Sequence, residues 1–103
     1  MMAPAPVYAV RFDSEVWRWQ ARRDDWYFVT LPEEFAEPIR DLPRISRGFG
    51  SVRVRATIGS TSWETSIFPA EKSQGYSLPV KKSVRVAEGI ELGDTVEVAV
   101  EVV

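Results

Sequence analysis

The chain contains neither cysteine nor histidine. Without thiols there is no disulfide, no thiolate nucleophile and no thiolate-held metal. Without imidazole there is no Ser-His or Cys-His pair, no imidazole general base and no His-ligated zinc. Most familiar enzyme designs are excluded, and we expect no enzyme, no metal and no cofactor. The lack of cysteine fits a reducing cytoplasm, where we expect the protein to reside. No apolar run approaches the ~18 residues that cross a bilayer, and MMAPAPVYAV lacks a charged leader followed by an apolar core, so no membrane role is expected. Excess charge is scarce too. Thirteen Lys and Arg stand against 15 Asp and Glu, a formal charge of -2. That balance excludes the uniformly basic surface of a typical nucleic-acid binder but leaves room for a local patch.

What is present is a single domain's worth of core. In 103 residues, 45% are apolar and four are tryptophan, enough for one compact unit and too little for two. We expect residues 1–6 to be a flexible N-terminus and 7–103 to form the domain. Val7 to Trp19 is rich in valine and aromatics, ARRDD (21–25) is a polar turn, and WYFVTL (26–31) favours β-structure, so the segment reads as a hairpin. Pro32, Glu33 and Glu34 open a helix that Pro38 and Pro43 keep short or broken. SVRVRATI (51–58) alternates Val52, Val54, Ala56 and Ile58 with Arg53, Arg55 and Thr57. Period two predicts a strand with one buried face. TSWETSIF (61–68), the turn AEKSQG, the short return YSLP and one or two helical turns in VKKSVRVAEGI follow. TVEVAVEV (95–102) closes the chain as its clearest strand.

The two halves, about 7–59 and 60–103, run in parallel. Thr30-Leu31-Pro32 matches Ser77-Leu78-Pro79, Ile45-x-x-Gly48 matches Ile90-x-x-Gly93, and Ser51-Val52-x-Val54 matches Thr95-Val96-x-Val98 after a one-residue gap. Each half is too small to bury its own apolar faces. Two interlocked copies predict a mostly β, closed six-stranded barrel with an internal pseudo-twofold repeat and two short helical caps, monomeric because one chain supplies both halves. Closure would remove exposed sheet edges.

An ordered set of segments gives the chain a resemblance over Val7 to Val100: Phe12, WYFVTLP with Ile39-Arg40 after it, WETSIFP, GYSLPVKKSVR and GIELGDTVEV. Together they resemble the prokaryotic family of domains of unknown function numbered 1905. The resemblance implies a six-stranded barrel of the double-split kind capped by short helices, and it implies no activity, since the family's function is unknown. Larger relatives add a helical domain associated with bacteriocin protection, which a chain of this length is expected to lack. The barrel type is also similar to the swapped-hairpin domains of transition-state regulators and antitoxins, which assemble from two chains and bind DNA. Fold likeness alone does not transfer that role.

Of the paired acids, Asp24-Asp25 sits in a turn and Glu33-Glu34 at a helix start, where acids are favoured for structural reasons. Gly48 and Gly50 lack the Gly-Lys-Ser/Thr that completes a phosphate loop. Trp17, Trp19, Trp26 and Trp63 could stack on bases or sugars, although barrel packing explains them more simply. Trp19, next to the polar turn, is the one expected at the surface. Charge is uneven: residues 40–55 hold five arginines against Asp41, while 88–103 hold five acids and no base. Arg53 and Arg55 are expected to face Glu97 and Glu101 across the sheet. Arg44, Arg47, Lys81, Lys82 and Arg85 remain as candidate anion-binding residues. A structural or protein-interaction module is the first expectation from sequence, and a weak binder of phosphate-bearing ligand or nucleic acid through that local patch is the second.

Overall fold

The computed structural model describes residues 8–20, 25–42, 50–70 and 75–103. The expectations for residues 1–6, for most of the two polar turns, and for Arg44, Arg47 and Gly48 lie outside the described residues. The elements run β1 (Ala9–Glu15), β2 (Trp17–Gln20), β3 (Asp25–Leu31), α1 (Glu33–Arg40), β4 (Val52–Ile58), β5 (Thr61–Pro69), β6 (Tyr76–Pro79), α2 (Lys82–Glu88) and β7 (Thr95–Val102). The chain is mostly β. All strand pairs are antiparallel, in the order β1-β7-β4-β5-β6-β3-β2.

Alternation places the core. In β4 the residues Val52, Val54, Ala56 and Ile58 are buried while Arg53 and Arg55 are exposed. Strand β7 pairs with β4 and buries Val98, Val100 and Val102 on the same side. Val29, Leu31, Trp63, Ile67, Tyr76 and Leu78 complete the concave face, and among the described residues no polar or charged side chain is buried. Helix α1 covers part of it with Ala36 and Ile39, its first turn carrying Glu33 and Glu34 and its last Arg40, as the dipole favours. The helix continues through Pro38 and stops after eight residues. Helix α2 buries Val84 and ends at Gly89, whose φ of 63° and the Ile90 N–H to Arg85 carbonyl bond of 2.9 Å make a left-handed stop of the Schellman type. No helix among the described residues is long and apolar enough to cross a membrane.

The closed six-stranded barrel expected from sequence is not what forms. Among the described residues seven strands make a half-barrel, and no ladder joins its edges β1 and β2. The physical reason lies at Val16, fully buried between those two strands. Its N–H donates to the Asp94 carbonyl at 2.8 Å and its carbonyl accepts from Gly93 N–H at 2.9 Å. With both backbone groups taken by the turn before β7, the strand breaks. Its first part pairs with β7 and its second with β3. Where a further ladder bond would bring β1 to β3, the Ser14 hydroxyl accepts from Thr30 N–H instead, at 3.0 Å. Register elsewhere is well defined: Thr30 stands opposite Ser77, and Ala56 opposite Val100.

Candidate anion-binding site

Three of the five candidate cations meet at the end of β6. Strand pairing with β3 continues one residue beyond Pro79, because Val80 N–H donates to the Tyr27 carbonyl at 2.8 Å. Val80 is buried, so the chain must turn outward after it, and Lys81 and Lys82 emerge exposed where α2 begins. One helical turn later Arg85 folds back. Its Nε donates to the Val80 carbonyl at 3.1 Å, and its guanidinium lies 3.8 Å from the centre of the Tyr27 ring, a cation–π contact that holds the charge in place. Lys81, Lys82 and Arg85, with Pro79, Val80, Tyr27 and Trp26, line a pocket of about 250 Å³. Among the described residues none of these three cations takes part in an ion pair.

A larger hollow of about 490 Å³ lies between β7, the β4–β5 turn and the end of α2. Two of the acids that line it have internal partners: Glu88 accepts from the Ser60 and Thr61 hydroxyls at 3.3 and 2.6 Å, and Glu97 pairs with Arg11 at 3.3 Å. Elsewhere Glu33 pairs with Arg40, and Asp94 caps the Glu91 N–H at 2.8 Å. Among the described residues no three potential ligands group to hold a metal.

The arginine–glutamate pairing expected across β4 and β7 is different in the structure. Arg55 does stand opposite Glu101, but its ion pair is with Glu64 of β5 at 3.5 Å, and Glu97 is matched by Arg11 of β1. The cause is register. The β4–β7 ladder ends at Ile58 opposite Val98, so Glu97 lies past its end and is reached only from β1.

Trp19 is at the surface, as expected from sequence, but Trp17 and Trp26 depart from the expectation of core packing. Only Trp63 is in the core. In β3 the odd-numbered Val29 and Leu31 face inward, which turns Trp26 and Phe28 outward. In β2 Trp17 lies opposite Phe28 and Trp19 opposite Trp26. Trp17 stacks on Phe28 with centroids 4.7 Å apart and donates its indole N–H to Thr30 Oγ1 at 2.8 Å. Trp19 and Trp26 are 57% and 50% exposed, so both offer ring surface to solvent. Sequence reasoning named Trp26 only as one of four rings that could stack, without placing it beside the cations, and missed Tyr27 as a site residue. The available signal was that Trp26 borders the same polar turn as Trp19, which makes the two cross-strand neighbours in any hairpin closed there.

No curated protein matches the chain. A family model described as "Domain of unknown function (DUF1905)" matches residues 12–100, a span that takes in β2 to α2 and with them every described residue of the pocket. By that match the chain belongs to the DUF1905 family.

Proposed function

We propose that the domain is a non-catalytic binding module that takes a phosphate-bearing ligand in the pocket between β3 and the start of α2. The observation that carries this reading is the convergence of Lys81, Lys82 and Arg85 on one concavity with aromatic walls, with no carboxylate paired to them among the described residues. Such an arrangement suits an anion that also has a flat or apolar part. Phosphate oxygens would be met by the two lysines as mobile point charges and by Arg85 as a fixed fork. The net charge of -2 means attraction is local and screened over about 10 Å at 0.1 M salt.

The test is a titration of isotope-labelled protein with inorganic pyrophosphate at low salt, followed by amide and indole resonances. Saturable shifts confined to Trp26, Tyr27 and Val80–Arg85 are expected, and Lys81→Ala with Lys82→Ala should remove them. Unmoved resonances would reject the pocket. The second reading is a protein-interaction module, favoured by the exposed Trp19–Trp26 pair beside the open edge of β2.

The same reading treats the protein as a monomer built by duplication. Residues placed in equivalent positions by the sequence anchors, Thr30 with Ser77 and Ala56 with Val100, are also opposite one another in their ladders. A local twofold axis through both pairs would give that register.

A further inference from the structure

We infer that the ligand is single-stranded nucleic acid, with one phosphate held by Lys81 and Lys82 and successive bases stacked on Trp26 and Trp19. This rests on the pocket proposed above and names what fills it. The outer face of the β2–β3–β6 sheet carries two rows. In the first, Trp17 lies opposite Phe28 and Phe28 opposite Pro79. Here the two rings already stack on each other and Trp17 is tied to Thr30, so this row holds the hairpin in shape. In the second row Trp19 lies opposite Trp26. The bond from Val80 N–H to the Tyr27 carbonyl carries the β3–β6 register one step past Phe28 and Pro79, and Lys81, the next residue, lines the same pocket as Trp26. The result is two indoles side by side on neighbouring strands about 4.8 Å apart, with Lys81 and Lys82 in the pocket that the second indole lines.

Both indoles are half exposed, and neither ring has a stacked aromatic partner among the described residues. Two side-by-side π-surfaces next to cations with no ion pair among the described residues meet what an unpaired strand presents, bases with free faces on an anionic backbone. A duplex hides its base faces, and the acidic overall balance gives it no extended basic surface to follow. A lone phosphate would use the lysines and leave both indoles idle.

The experiment is fluorescence anisotropy of the intact protein with a short labelled oligothymidylate, at low and moderate salt, with dTMP and pyrophosphate as competitors. The oligonucleotide is expected to bind about tenfold or more tighter than dTMP, because a second base stacks on Trp19. Trp19→Ala should remove that gain and leave dTMP binding unchanged, and Trp19→Phe should restore most of it. Lys81→Ala and Lys82→Ala should each weaken both ligands, and the two together should lower the log–log salt slope for the oligonucleotide by about 0.7. An oligonucleotide no tighter than dTMP, or one indifferent to Trp19→Ala, overturns the stacking of successive bases while the pocket stands. Pyrophosphate binding without either nucleotide ligand overturns the nucleic-acid assignment. Equal affinity for a duplex overturns single-strand preference, and silence from all three ligands removes the pocket as well.

Discussion

At the scale of single residues, Gly75 and Gly59 show how differently two close contacts constrain the chain. A Cβ on Gly75 would lie 2.1 Å from the Leu31 carbonyl oxygen. That oxygen belongs to the backbone of β3, where Leu31 pairs with Tyr76, and it cannot retreat without opening the β3–β6 ladder. We expect Gly75→Ala to cost about 3 kcal/mol or more in urea denaturation. At Gly59 the φ is 59° and a Cβ would meet the Glu88 carboxylate, 1.9 Å from its nearer oxygen. This neighbour is the end of a flexible side chain, but moving it breaks the bonds from Ser60 and Thr61. Gly59→Ala should therefore combine left-handed strain of about 1–2 kcal/mol with the loss of those bonds. In a Glu88→Ala background the same substitution should cost the strain alone. A double-mutant cycle measures the difference, and strict additivity would show that Glu88 yields freely.

Among the tryptophans, burial separates stability from binding. Trp63 belongs to the core at 8% exposure, while Trp19 stands out from β2 at 57%. Trp63→Ala should destabilise by about 3–5 kcal/mol, and Trp19→Ala by no more than about 0.5 kcal/mol. Equal losses in thermal or urea melts would mean that the outer indole row supports the fold, which would remove the reason for reading it as a working surface.

At the scale of elements, legibility follows how local each cause is. The alternation of Val and Arg in β4 and of Val and Glu in β7 is read directly, because a period of two puts every second side chain inward whatever the partner strand. Lys81, Lys82 and Arg85 are legible as a group because they lie within five consecutive residues of the chain. The break between β1 and β2 is not, since the groups that take Val16 out of the strand are Gly93 and Asp94, almost at the other end of the chain. Nor is the choice of Glu64 over Glu101 for Arg55, which depends on the registers of two ladders at once. The aromatic walls fall between these cases. Alternation alone says that Trp26 and Tyr27 face opposite ways, and the inward burial of Val29 and Leu31 is needed to say which is which.

At the scale of the whole molecule, the pairing pattern makes each half depend on the other. Six ladders hold the sheet among the described residues, and four of them, β1–β7, β3–β6, β4–β5 and β4–β7, join a strand before Gly59 to one after it. Only β2–β3 and β5–β6 lie within one half. Exchanging the halves carries β1–β7 onto β5–β4 and β2–β3 onto β5–β6, while β3–β6 and β4–β7 map onto themselves. In this exchange β5, unbroken and paired with both β4 and β6, takes the place of β1 and β2 together. A chain cut between Gly59 and Ser60, in the turn from β4 to β5, therefore loses no ladder, yet each fragment alone keeps one and exposes most of its apolar face. Fragments 1–59 and 60–103 should each give the circular dichroism and narrow amide dispersion of an unfolded chain, because pieces of this size bury too little surface to stand alone. Mixed together they should fold, with a midpoint that rises with concentration, since the connection removed costs only loop-closure entropy. A fragment that folds as a monomer would show that the interlocked strands are not what holds the half-barrel together. A fragment that folds only as a dimer would place a second copy of itself in the position of the missing half, the outcome a duplicated ancestor predicts.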